Sequence, residues 1–148
     1  MFHLYKVILF ISLIFTYPAF GISISVASNC SNGAIPYNFD RFAYDPDIKI
    51  KFSSHVYNPD YIYKEVQIEE DTDIVIKDND VGDFSVCKSY KGKIIKISDY
   101  QFDPDVIVKI SQYGYFPDYT IFNDSKILTT EEVISIIVLR SFNDIDSI

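Results

Sequence analysis

Of the two histidines in this 148-residue chain, His3 falls in the apolar leading stretch and His55 stands in the run Ser53-Ser54-His55-Val56. An imidazole near a hydroxyl is the raw material of nucleophilic catalysis: it takes the serine proton while a third group orients it. Here both serines are too close in sequence for a fold to be needed to bring them near, so His55 reads as an exposed loop residue. Paired carboxylates could act as acid and base on a glycosidic bond. With 21 acidic residues in the chain, carboxylates alone discriminate little. The densest group, Asp78-Asn79-Asp80-Val81-Gly82-Asp83, superficially suggests a calcium loop. Counted from Asp78, however, glycine stands at position five and Ser89 at position twelve, where an EF-hand needs an oxygen ligand and a glutamate. It reads as an acidic turn between strands. No catalytic residue, metal or cofactor is expected from these patterns.

Cys30 and Cys87 are the only cysteines. Two thiols without histidines at ligand spacing do not make a zinc site; in an oxidising compartment an even count predicts one disulfide. There are twelve tyrosines, twelve phenylalanines and no tryptophan. Tyr44, Tyr57, Phe102 and Tyr115 each stand three residues before an aspartate. Aligned in a row they could contact a sugar or a peptide, although repeated aromatics more often serve packing.

These residues hang on a repeated phrase, an aspartate followed by alternating apolar residues and usually a lysine. It reads Asp47-Ile48-Lys49-Ile50-Lys51, Asp60-Tyr61-Ile62-Tyr63-Lys64 and Asp73-Ile74-Val75-Ile76-Lys77. It weakens at Asp83-Phe84-Ser85-Val86-Cys87 and Gly92-Lys93-Ile94-Ile95-Lys96, then returns at Asp105-Val106-Ile107-Val108-Lys109 and Asp118-Tyr119-Thr120-Ile121-Phe122. The anchors are 13, 13, 10, 9, 13 and 13 residues apart. Such self-similarity predicts one supersecondary unit stacked on itself, each copy a short strand. Pro46, Pro59, Pro104 and Pro117, unable to donate to a ladder, mark the strand starts. The second residue after the anchor is polar in Lys49, Ser85 and Thr120 but apolar in Ile62, Val75, Ile94 and Ile107. Strands apolar on both faces are buried on both. Copies two, three, five and six are therefore expected at the centre of the fold and one, four and seven towards its exterior. Lysines 51, 64, 77, 96 and 109 read as solvated charges that protect strand edges.

Residues 1–21 carry Lys6, an apolar run from Val7 to Phe15 and small residues at Ala19 and Gly21, the pattern of a cleaved secretory signal peptide. The expected location is secreted or periplasmic. Without that segment 12 basic residues face 21 acidic ones, a net charge of −9. This excludes nucleic acid as a partner and disfavours an anionic membrane surface. Residues 22–43 form an entry segment: Ile22, Ile24 and Val26 alternate as a strand would, and Asn29 to Pro36 read as a loop. Residues 44–122 hold the seven copies. In residues 123–148, Thr129 and Glu132 form a capping box before two helical turns, Val133 to Leu139, and Ser141 to Ile148 are a loose tail.

Seven copies of aromatic, spacer, aspartate and alternating strand, with a divergent glycine-bearing fifth, resemble the septoil (seven-crossing) knot domain family of small exported bacterial proteins. The resemblance covers about Tyr44 to Phe122. It implies an all-β, compact, knotted domain and carries across no catalytic residues; the four prolines before the aspartates, the Cys30 segment and the helix lie outside its pattern. The resulting expectation is an exported, monomeric structural or binding module. Its alternatives are a carbohydrate- or peptide-binding domain using the repeated aromatics, and a hydrolase using scattered carboxylates with His55.

Overall fold

The computed structural model describes residues 21–31, 33–100, 102–112 and 116–145; nearly all of the expected signal segment lies outside them. Nine strands of five or six residues run in chain order: β1 (Ile22–Val26), β2 (Ile35–Phe39), β3 (Ile48–Phe52), β4 (Tyr61–Glu65), β5 (Ile74–Asp78), β6 (Phe84–Lys88), β7 (Lys93–Ile97), β8 (Val106–Ser111) and β9 (Tyr119–Asn123). A single helix, α1 (Thr130–Ile145), follows. All strand pairs are parallel, and the strands close into a barrel in the order β1-β5-β9-β4-β8-β3-β7-β2-β6. Seven repeats in a knotted domain is therefore the wrong description: the fold is a closed, all-parallel, nine-stranded barrel with a C-terminal helix. The entry segment belongs to it, because β1 and β2 start 13 residues apart and β3, β4 and β5 continue that step.

In barrel order each strand lies two places from its predecessor, always in the same direction. The chain circles the barrel almost twice, and β6 to β9 slot between the strands of the first lap. Each connector returns from the end of one strand to the start of the next and crosses one intervening strand. A five-residue strand is about 17 Å long and two strand spacings are about 10 Å. An eight-residue connector reaches about 26 Å, enough for that return, which accounts for a 13-residue period. The β5–β6 and β6–β7 connectors are much shorter, and there glycine permits the crossing. A Cβ on Gly92 would come 2.4 Å from the Pro36 carbonyl carbon, and one on Gly82 would come 2.9 Å from the Ser23 carbonyl oxygen.

The first and third residues after each anchor point inwards. Ile24, Ile48, Ile50, Tyr63, Ile74, Ile76, Val86, Ile95, Val106, Val108 and Ile121 form one core with α1. The helix occupies the lumen. Val133, Ile134, Ser135, Ile136, Val138 and Leu139 are all buried, and at 100° per residue they cover every side of the helix. Its capping box forms as the sequence predicts: Thr129 N donates to Glu132 Oε2 at 2.9 Å, and Glu132 N to Thr129 Oγ1 at 3.2 Å. The first turn is tied to strand ends by Thr130 Oγ1 to Glu65 Oε1 (2.9 Å) and Lys88 Nζ to Glu132 Oε1 (2.9 Å). At the far end the Arg140 guanidinium lies 4.0 Å over the Phe84 ring. The helix thus runs antiparallel to the strands. It continues to Ile145, so residues 141–145 extend it where a loose tail was expected.

A closed barrel has no edges and no central strands, which overturns the division into interior and exterior copies. Ile62, Val75, Ile94 and Ile107 are half-buried on the outer wall, and so are Lys49, Ser85 and Thr120. Connectors crossing the wall cover polar and apolar residues alike. The lysines do not guard edges either: Lys96 Nζ donates to the Ala43 carbonyl at 3.1 Å in the connector above it, and Lys77 pairs with Glu69 at 2.9 Å.

The repeated aspartates act between strands distant in sequence. Each one at the strand-start rim accepts the backbone N–H of the second residue of a neighbouring strand. Asp47 takes Ile94 (2.6 Å), Asp60 takes Ile107 (2.7 Å), Asp73 takes Thr120 (2.8 Å), Asp83 takes Ser23 (2.7 Å), Asp105 takes Lys49 (2.8 Å) and Asp118 takes Ile62 (2.7 Å). In five of the six, the aspartate's own N–H also donates to that residue's carbonyl. The strands begin one residue after the aspartate, so the prolines close the connectors and do not open the strands.

Candidate functional site

The crossings decide where the exposed aromatics lie. Phe42, Tyr44, Tyr57, Tyr90, Tyr100, Phe102 and Phe116 stand almost wholly in solvent, all on connectors. The β2–β3 connector with Phe42 and Tyr44 crosses β7, as the Lys96–Ala43 bond confirms. The β7–β8 connector with Tyr100 and Phe102 crosses β3, where Lys49 meets Asp103 at 4.0 Å. Tyr57 crosses over β8, Phe116 over β4 and Tyr90 over β2. The strands beneath them, β4-β8-β3-β7-β2, are five consecutive staves of the barrel. At about 4.8 Å per strand the rings span an arc of about 19 Å. Crossings over the remaining wall expose Ile68 and Val81 but no aromatic ring among the described residues. Of the four aromatics predicted from the repeat, Tyr44, Tyr57 and Phe102 are in the arc, and Tyr115 lies outside the described residues. Phe42, Tyr90, Tyr100 and Phe116 escaped the sequence reading because they miss the position three before the anchor. Their common signal is an aromatic between strands.

Asp45, Asp99 and Asp103 stand exposed among these rings. Where the β3–β4 and β7–β8 connectors meet the first turn of α1, a cleft of about 370 Å³ opens at the strand-end rim. Its walls bring together His55, Ser53, Ser54, Asp99 and Glu131 over a floor of Phe52 and Ile110. The His55 loop residue is thus in a cleft with two carboxylates, neither of which the sequence reading singled out. The Glu131 carboxyl is pushed above the usual carboxylate range, first by desolvation and then by the negative charges of Asp99 and Glu132.

The two cysteines form a disulfide, Cys30–Cys87, tying the β1–β2 connector to β6. The acidic turn works as structure: the Asp78 carboxylate accepts Ser125 Oγ at 2.5 Å and Lys126 N at 2.7 Å at the passage from β9 into the lumen, and Asp83 holds β1. Among the described residues no group of three histidine, cysteine or carboxylate side chains is placed to hold a metal ion. None of their helices is long and apolar enough to cross a membrane.

No protein-family model matches the chain, and no curated protein matches it either. The resemblance to the septoil knot domain therefore gains no support from these comparisons.

Proposed function

We propose that this protein is an exported binding module for a neutral polysaccharide, which lies along the aromatic arc. The observation that carries this reading is the set of seven exposed rings over five adjacent strands. Aromatic rings offer large, stiff apolar faces at low conformational cost, suited to the C–H faces of sugars. A compact acidic protein gains nothing in solubility from seven exposed rings, and clustered exposed apolar surface marks an interaction site. Asp45, Asp99 and Asp103 between the rings supply acceptors for sugar hydroxyls. The chain's net charge of −8 selects against acidic polymers. Affinity electrophoresis against soluble neutral polysaccharides tests this. At least one gel should retard the protein, and the triple change Tyr44→Ala, Tyr57→Ala, Phe102→Ala should abolish retardation without lowering Tm. Retardation by no neutral polysaccharide, or equal retardation of the triple variant, would sink the idea.

The cleft favours a second reading, hydrolysis of the bound glycan. A carboxyl with a raised pKa beside another carboxylate is the pairing that acid-assisted glycoside cleavage uses. Glu131 fits the acid, and the cleft adjoins Tyr57 and Tyr100 on the same two connectors. Reducing ends should appear when a retarding polysaccharide is incubated with the protein and should not appear with Glu131→Gln. Binding without any release would leave the module and remove the enzyme.

A further inference from the structure

A second cavity, of about 360 Å³, opens at the opposite rim, where four consecutive strands begin. Tyr61 and Tyr63 of β4, Tyr119 of β9 and the β5 anchor Asp73 line it, and Ile137 and Val138 of α1 close its back. The three rings form one cluster: Tyr61 and Tyr63 have centroids 6.4 Å apart, and Tyr63 and Tyr119 5.5 Å apart with a 32° tilt. Tyr63 is only 1% exposed, and among the described residues its hydroxyl has no hydrogen-bond partner. Tyr63 lines the cavity while its neighbours enclose most of the ring. Among the described residues no lysine, arginine or histidine lines the space.

Electrostatics say what this pocket would hold. Burial, the phenols of Tyr119 and Tyr61 and the Asp118 carboxylate all push the Tyr63 hydroxyl to hold its proton. Burial, the largest of these causes, opposes any bare charge; what favours a cation is the negative charge of Asp73 in the lining and of Asp118 beside Tyr63. Beside Asp73 and Ser141, however, the walls are tyrosine rings and aliphatic side chains, too few polar groups to replace the full hydration of a bare ammonium. The cation that fits carries its charge beneath an apolar skin, and ring faces attract such ions through their quadrupoles. We infer that the Tyr61–Tyr63–Tyr119 cavity is a binding site for a quaternary or methylated ammonium group, with Asp73 as the nearby countercharge. The site is separate from the aromatic arc and does not depend on it.

Choline and its uncharged carbon isostere, in which tert-butyl replaces trimethylammonium, separate this from plain apolar binding. Titration of the full chain, followed by tyrosine fluorescence and by broadening of the ligand methyl resonance, should show saturable choline binding. The isostere should bind at least about tenfold more weakly, a difference of about 1.4 kcal/mol. Tyr119→Leu, at a position 44% exposed and so tolerant of change, should remove about that tenfold preference. Tyr119→Phe should retain it, because the ring is kept. The triple change in the aromatic arc should leave choline binding untouched. Equal affinity for the two ligands, no binding of choline, or unchanged selectivity in Tyr119→Leu would each overturn the inference.

Discussion

Replacing Asp60 with alanine removes one carboxylate from the strand-start rim and leaves the rest of the barrel in place. Asp60 Oδ2 accepts Ile107 N–H at 2.7 Å, while Asp60 N donates separately to the Ile107 carbonyl at 2.8 Å. Only the first bond is lost. A hydrogen bond to a charged acceptor contributes about 1.5–3 kcal/mol, but this rim is exposed and water can take the freed N–H, which lowers the loss to about 1–2 kcal/mol. The removed negative charge has its own effect in an acidic protein, so the control is Asp103→Ala. Asp103 carries the same charge on a connector, and its described ionic contact is with Lys49 at 4.0 Å. That change should be close to neutral, as weak exposed pairs are. Asp60→Asn, which keeps an oxygen acceptor without the charge, should fall between. Urea unfolding at neutral pH, with the m-value checked for constancy, measures all three. Equal midpoints for Asp60→Ala and Asp103→Ala would refute the argument that the repeated aspartates are cross-strand clamps.

Further outcomes follow from the same geometry. Ile107→Lys and Thr120→Lys, both half-buried on the outer wall, should have unfolding free energies within about 1 kcal/mol of each other by denaturant titration, whereas Ile50→Lys, wholly buried against the lumen, should prevent folding by burying an unpaired charge. Thiol titration of the unfolded, unreduced protein should find no free thiol, and reduction should lower stability by about 4 kcal/mol for a bridge spanning 57 residues. Glu131 binds its proton more tightly folded than unfolded, so stability should fall as pH rises from its ordinary value to its raised one. Glu131→Gln should flatten that part of the pH–stability curve and leave the region below it unchanged.

Much of the strand content was legible. The seven anchors locate β3 to β9, because aspartate plus alternating β-branched residues is a local signal that survives any topology. The alternation in Ile22, Ile24 and Val26 identified β1. β2 was hidden for a physical reason: Pro36 sits inside it, and Gly21 and Ala34 occupy the two anchor slots that would have extended the 13-residue step upstream. Those slots also lack a carboxylate to clamp a neighbour. Pairing between strands four and five apart in order leaves no trace within one repeat, so closure into a barrel could not be read from it. The copies were wrongly divided into central and exterior ones for that reason, since connector coverage leaves Lys49 and Ile107 alike half-buried. The capping box at Thr129 and Glu132 and the apolar run Val133–Leu139 marked the helix, but not that it would fill a barrel. At the candidate sites, Tyr44, Tyr57 and Phe102 were visible through their spacing; Asp99 and Glu131 come together only in three dimensions.

The two-lap path also sets the order in which the molecule can be made. Ile48 pairs with Ile95, Tyr61 with Val108 and Ile74 with Ile121, each 47 residues on, and no strand pair in the barrel joins residues nearer than that. No hairpin can form early as a seed, and the first permitted partnership, Ile22 with Ile74, waits until half the chain exists. Loop-closure entropy must be met in full before any ladder returns free energy, which places this barrel among slow, high-contact-order folders. β2, β3 and β4 have no partner until the second lap arrives between them, and the helix that fills the lumen is synthesised last. A chain built this way can complete its barrel only after the last strand, β9, has been made. Once set, unfolding must unwind both laps together, so persistence should be governed by a slow unfolding rate more than by equilibrium stability.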